Sequence, residues 1–95
     1  MITRIVKMTF DPAKTNEFID VFTRAKPLIE AFDGCQKVEL LRDTDQPNIF
    51  FTMSFWINSE ALDKYRDSDL FNSTWDKAKK LFSDRPEAWS IEKIF

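Results

Sequence analysis

Ile49-Phe50-Phe51-Thr52-Met53-Ser54-Phe55-Trp56-Ile57 decides the architecture. Side chains in an extended strand repeat every two residues, so Ile49, Phe51, Met53, Phe55 and Ile57 fill one face. Phe50 and Trp56 add apolar bulk to the other face, with Thr52 and Ser54 between them. A strand that is apolar on both faces expects cover on both faces. Helices of the same chain cover one side of such a sheet. The simplest cover for the other side is a second copy of the chain, related by a two-fold axis.

Downstream, Asn58-Ser59 caps a helical region, and Leu62 to Phe82 is dense in aromatic and polar groups. A short helical turn carries Tyr65 and Arg66. The chain breaks at Asp67-Ser68-Asp69, where the Ser68 hydroxyl can cap a second helix. That helix places Phe71, Thr74, Trp75, Ala78, Leu81 and Phe82 on one face at steps of three and four. Asp76, Lys77, Lys79 and Lys80 form its solvated side. Any pocket in this protein is expected to use the Phe71 and Trp75 face as a wall. Ser83-Asp84-Arg85-Pro86 ends the region, and Ala88 to Phe95 reads as a last strand with Trp89, Ile91 and Phe95 on one face.

Upstream, Thr44-Asp45-Gln46-Pro47-Asn48 is a turn, preceded by a strand over Cys35 to Arg42 with Val38 and Leu40 opposite Lys37 and Glu39. Asp11-Pro12 opens a helix, with Asp as N-cap and Pro at the first position. Its stripe runs through Phe18, Val21, Phe22, Ala25, Leu28, Ile29 and Phe32, and Pro27 inside it is expected to kink or break it. Gly34, the only glycine, stands where a helix C-terminus wants a left-handed residue. Residues 2–10 form the first strand, with Ile2, Val6, Met8 and Phe10 opposite Thr3, Lys7 and Thr9; Arg4 and Ile5 blur the alternation. The order is strand, helix, strand, strand, helix, strand. This is the ferredoxin-like βαββαβ arrangement of an α+β protein, a four-stranded antiparallel sheet with helices on one face. Residues 1–95 make a single domain, and a homodimer through the open sheet face is expected.

The composition excludes several classes of function. Mixed charges sum to −2, so a nucleic-acid surface has no support. No apolar run approaches the ~18 residues of a membrane span, and no signal peptide opens the chain. The single cysteine, Cys35, rules out an internal disulfide and fits a cytoplasmic location. Histidine is absent, which removes the commonest general base and the commonest metal and haem ligand. No metal and no cofactor are therefore expected. Ten phenylalanines, three tryptophans and one tyrosine make up 15% of the chain, which suits aromatic walls. Chemistry by this chain alone must use carboxylates, Tyr, Lys, Arg, Asn or water.

The block Phe55-Trp56, Leu62, Tyr65-Arg66-Asp67-Ser68, Leu70-Phe71, Trp75, Lys80-Leu81-Phe82 and Pro86-Glu87-Ala88-Trp89-Ser90 resembles the antibiotic biosynthesis monooxygenase family, of the dimeric α+β barrel superfamily. The Phe32-Asp33-Gly34-Cys35 corner is similar as well. The resemblance spans essentially the whole chain. It implies one of three roles: cofactor-free oxidation of phenolic polycycles or quinols, haem binding and degradation, or a small dimer without known activity. The haem-degrading members carry an axial histidine at the position resembled by Trp75, an asparagine on the first strand where Lys7 or a neighbour stands, and a tryptophan near Tyr65. All three are replaced here, so haem degradation is disfavoured.

Cofactor-free chemistry needs neither metal nor histidine. A deprotonated electron-rich phenol or anthrone gives one electron to oxygen, and the radical pair combines. The protein must hold a flat ring, favour its anion and keep the cavity dry. Trp56, Phe71 and Trp75 are the candidate substrate-binding walls. Tyr65 offers a wall and a hydroxyl, Arg66 can stabilise an anion, and Asn72 or Glu39 could orient or move a proton. Each has a plain alternative: Trp56, Trp75 and Trp89 as packing, Tyr65 as a core ring, Arg66 as a structural ion pair, Lys7 as a solvated strand residue and Cys35 as a small buried hydrophobe. Two functions therefore stand. One is a cofactor-independent monooxygenase acting with O2 on a small aromatic quinol or polycyclic phenol. The other is a non-catalytic dimeric module that binds a small ligand or serves structure.

Overall fold

A computed structural model describes residues 1–95. The elements follow the expected order: β1 (Ile2–Thr9), α1 (Thr15–Glu30), β2 (Cys35–Arg42), β3 (Ile49–Trp56), α2 (Ser59–Arg66), α3 (Asp69–Lys79) and β4 (Glu87–Ile91). The strands form one antiparallel sheet in the order β2-β3-β1-β4, which is the ferredoxin-like α+β arrangement. Three helices, rather than two and a turn, lie on one face.

The register settles which residues share a face. Across the helix side run the rows Val38–Ser54–Arg4–Ser90 and Leu40–Thr52–Val6–Ala88, and Arg42–Phe50–Met8 follows. Across the open side run Glu39–Met53–Ile5–Trp89 and Lys37–Phe55–Thr3–Ile91. β3 therefore behaves as its sequence requires, with Phe50 and Trp56 buried under the helices and Phe51, Met53 and Phe55 half-buried on the bare side. Arg4 and Ile5 do not blur the alternation of β1. Arg4 belongs to the helix side with Val6 and Met8, and Ile5 to the open side.

The main core joins Met8, Phe10, Phe18, Phe22, Ala25, Ile29, Val38, Phe50, Ala78 and Leu81. A smaller cluster of Trp56, Ala61 and Leu62 packs under the start of α2. Local signals set most boundaries. Asn58 accepts a hydrogen bond from the Ala61 N–H, and the Ser68 hydroxyl accepts from the Phe71 N–H, each relieving a helix start of an orphan donor. Gly34 has φ +88°, and a Cβ there would overlap that of Ala61. The Gly34 carbonyl also accepts from the Ile57 N–H at 2.9 Å, tying this corner to the entry of α2.

Five local expectations change. Asp11-Pro12 opens a 3-10 turn, Pro12–Lys14, before α1 begins. Pro27 does not break α1, which continues one turn further to Glu30 with the proline ring exposed. Leu28, read as part of the apolar stripe, is 58% exposed. α3 stops at Lys79, and Leu81 and Phe82 reach the core from a turn instead. There the Leu81 carbonyl accepts from the Asp11 N–H, and Phe82 bridges Phe10. β4 ends at Ile91, and Ile94 and Phe95 are exposed. No helix is long and apolar enough to cross a membrane.

Candidate active site

A cavity of about 330 Å3 lies between the helix side of the sheet and helices α1, α2 and α3. Its existence follows from residue size. Beside Arg4 and Met8, the sheet offers it the smaller Val6, Val38, Thr52, Ser54 and Ala88, and α3 offers Thr74 and Ala78. Helices cannot close on a floor of small side chains when large rings hold them away. Tyr65, Phe71 and Trp75 are those rings. The volume falls at the small end of ligand pockets, which run to roughly 300–1,000 Å3.

The wall is a contiguous aromatic row. Tyr65 stacks on Trp56 with centroids 4.9 Å apart and meets Phe71 edge-on at 5.3 Å. Phe71 and Trp75 lie nearly parallel, 5.9 Å apart and 10° between planes, as residues four apart on a helix should. Trp75 then meets Phe82 at 5.5 Å, which leads to Phe10 in the main core. Offset-stacked and edge-on contacts of this kind favour fixed ring positions. The cavity wall is thus continuous with the core.

The polar groups are few. Arg66, at the end of α2, pairs with Asp63 one turn earlier at 2.7 Å, so it is an ion pair that also lines the cavity. Arg4 enters from β1. Its Nη1 donates to the Ser90 hydroxyl at 3.0 Å, and no carboxylate lies within ion-pair distance of it. Partial burial and then the like charge of Arg66 lower the Arg4 pKa below its ordinary value. Glu87 is the one carboxylate of the lining; it is exposed and pairs with neither arginine. The Tyr65 hydroxyl is pushed up to about 12, first by burial and then by the Cys35 thiol nearby. At neutral pH it is a hydrogen-bond donor and not a base.

The residues singled out by sequence separate into three groups. Tyr65, Arg66, Phe71 and Trp75 meet in the cavity lining. Trp56 does not reach it: it is fully buried behind Tyr65, with Nε1 donating to the Ser54 hydroxyl at 2.9 Å. Its place is support for the wall. Asn72 is exposed and outside the cavity, because one residue beyond Phe71 turns it about 100° around α3. Glu39 and Lys7 lie on the open side of the sheet. Arg4 is the polar residue that sequence reasoning passed over. Its signal was the period-two phase shared with Val6 and Met8, which places a cation on a buried face.

Haem does not fit this donor set. The chain has no histidine, and no group of acidic, cysteine or histidine side chains is placed to hold a metal ion. Within the cavity Tyr65 holds its proton to high pH, which opposes phenolate ligation. Cys35 lies outside the lining, and burial pushes its thiol up.

The profile of the family described as antibiotic biosynthesis monooxygenase matches residues 1–76. Rv0793 of Mycobacterium tuberculosis superposes with a TM-score of 0.90 at 15% identity, over 99% of this chain and 95% of that one. A variant of SnoaB, described as a cofactor-independent oxygenase from Streptomyces nogalater, superposes with a TM-score of 0.87 at 20% identity, over 99% and 93%. At these identities the likeness is one of fold. A protein of Natronomonas pharaonis named for heme binding is 28% identical over 78 residues, or 82% of this chain. The chain spans 13% of that relative's length.

Proposed function

This chain belongs to the antibiotic biosynthesis monooxygenase family, and on that premise we propose that it is a cofactor-independent monooxygenase acting on a small aromatic quinol or phenol. The observation that carries the reading is the cavity itself: an apolar slot walled by Tyr65, Phe71 and Trp75, with guanidinium groups as its cations. A flat ring lies along Phe71 and Trp75. The substrate hydroxyl loses its proton to water at the mouth, and Arg66 and Arg4 favour the resulting anion. Tyr65, keeping its own proton, donates a hydrogen bond to that oxygen.

The phenolate then passes one electron to O2, and the aryloxyl radical and superoxide combine at a ring carbon that carries its unpaired spin. Collapse of the peroxide leaves one oxygen atom in the product and releases the other as water. For a naphthalenediol the overall change is quinol plus O2 to hydroxyquinone plus water. All four electrons come from the substrate, so no external reductant is required. The walls exclude bulk water and fix the ring, while the cations stabilise the charge that develops.

The second reading is a binding module without turnover. It draws on the absence of a well-placed base, since Tyr65 is held neutral and Glu87 stays in solvent. Oxygen uptake by metal-free protein against naphthalenediols and anthrones separates the two. Saturable uptake above a boiled control, lost in a folded Trp75→Ala variant, is the expected outcome. No uptake from any of these compounds leaves the binding module.

The open sheet face completes the proposal. Proteins of this family are commonly dimers. Ile5, Phe51, Met53, Phe55, Trp89 and Ile91 leave too much apolar surface on one side of this sheet for a lone chain. A second copy, docked through the same face by two-fold symmetry, covers it.

A further inference from the structure

We propose that the natural ligand of this cavity is an aromatic acid, with a ring carboxylate seated between Arg4 and Arg66. The inference rests on the cavity being the ligand site and deepens the proposed function by naming the substrate class. Three observations carry it.

The first is charge balance. Two guanidinium groups line one small cavity, and only Arg66 has a carboxylate partner, Asp63. Arg4 is met by a neutral hydroxyl, and the like charge of Arg66 is felt at Arg4. A half-buried cation without a counter-ion is costly to keep, and the cost is removed when a ligand supplies the anion.

The second is the space made for it. Arg4 sits in a row between Ser54 and Ser90, the smallest polar neighbours on the helix side of the sheet. The Ser90 hydroxyl accepts from one guanidinium nitrogen and so steers the side chain. The remaining N–H groups are left for a ligand.

The third is chemistry. Guanidinium forks match the two oxygens of a carboxylate, whereas a phenol oxygen offers a single acceptor. A phenol also stays largely protonated near neutral pH and would leave Arg4 uncompensated in the resting complex. A carboxylate is ionised there. The small volume limits the body to one or two fused rings, laid against Phe71 and Trp75.

The test measures binding without turnover. Quenching of tryptophan fluorescence is titrated under nitrogen with 3-hydroxy-2-naphthoate, its methyl ester and 2-naphthol. The acid is expected to bind at least tenfold more tightly than the ester or the naphthol, with the preference shrinking as NaCl is raised. Arg4→Gln should bring the three ligands together, and Arg4→Lys should keep part of the preference. Should Arg4→Gln not fold, Arg66→Gln and the salt series carry the test. Equal binding of acid and ester, a preference unmoved by both arginine substitutions, or no binding of any of the three would overturn the proposal. Acid-selective binding beside a silent oxygen-uptake assay would keep the carboxylate site and remove the monooxygenase, so the two readings fail separately.

Discussion

Replacing Gly34 by alanine tests the corner on which the site depends. Two costs add. At φ +88° an L side chain meets its own backbone, at roughly 1–2 kcal/mol. The new methyl also overlaps the Ala61 Cβ and approaches the Ile57 Cγ1 at 3.3 Å, an overpacking of roughly 1–3 kcal/mol. Gly34→Ala should therefore lose about 2–5 kcal/mol, a large share of the roughly 5–15 kcal/mol that holds a domain of this size. In temperature this is a fall in Tm of roughly 8–40 °C. Urea unfolding followed by tryptophan fluorescence gives the number directly, with an unchanged slope showing that the folded and unfolded states keep their exposed surfaces. The double variant Gly34→Ala with Ala61→Gly separates the two costs. It removes the overlap, keeps the backbone strain, and adds about 1 kcal/mol for a glycine within a helix. A loss below about 1 kcal/mol for the single variant would refute the reasoning, because it would mean that the corner relaxes freely and does not fix α2.

Other outcomes follow from the same geometry. Tyr65 is the only tyrosine, so ultraviolet titration reads it alone and should place its ionisation near 12. The unfolded chain releases that proton near 10, so the folded state holds more protons between the two values. Stability should be intact below pH 10 and fall by about 2–3 kcal/mol as pH rises to 12, less steeply in Tyr65→Phe. Phe10 is fully buried and stacks on Phe18 at 4.2 Å, so Phe10→Ala should cost about 3–5 kcal/mol in urea unfolding. Sedimentation velocity should give a dimer for the natural chain and a monomer for Met53→Glu, since a charge in the middle of the open face cannot be buried against its own copy.

Period and punctuation carried most of the fold. The alternation in Ile49 to Trp56, the caps Asn58 and Ser68, and the left-handed Gly34 are each set by a handful of adjacent atoms, and each is visible in sequence. What escaped depends on position within an element or on distant partners. Pro27 lies inside α1 without ending it, because the packing of Ala25 and Ile29 into the core holds the helix through it, and that packing is not written at the proline. Leu81 and Phe82 keep helical spacing but enter the core through a turn pinned by Asp11 and Phe10, some seventy residues earlier. The site divides the same way. Phe71 and Trp75 share one helical stripe, and Tyr65 arrives beside them from the short helix just upstream. Trp56 looked equivalent to them, but only the packing of Tyr65 across it shows that it stands behind the wall. Arg4 looked like noise in a strand pattern, because a cation on an apolar face has meaning only once a cavity opens beside it.

The alternation of the sheet has an evolutionary consequence. Along β1, Arg4, Val6 and Met8 face the cavity, while Thr3, Ile5 and Lys7 face the open side. Neighbouring codons therefore answer to different selective pressures. On the proposed ligand slot and dimer face, drift at the even positions would alter what the slot accepts, and drift at the odd positions what the sheet docks against. The backbone between them insulates each from the other. Descendants of such a chain can exchange one ligand for another while their assembly stays as it was, and substitution rates along β1 should rise and fall with a period of two wherever only one of these pressures has been relaxed.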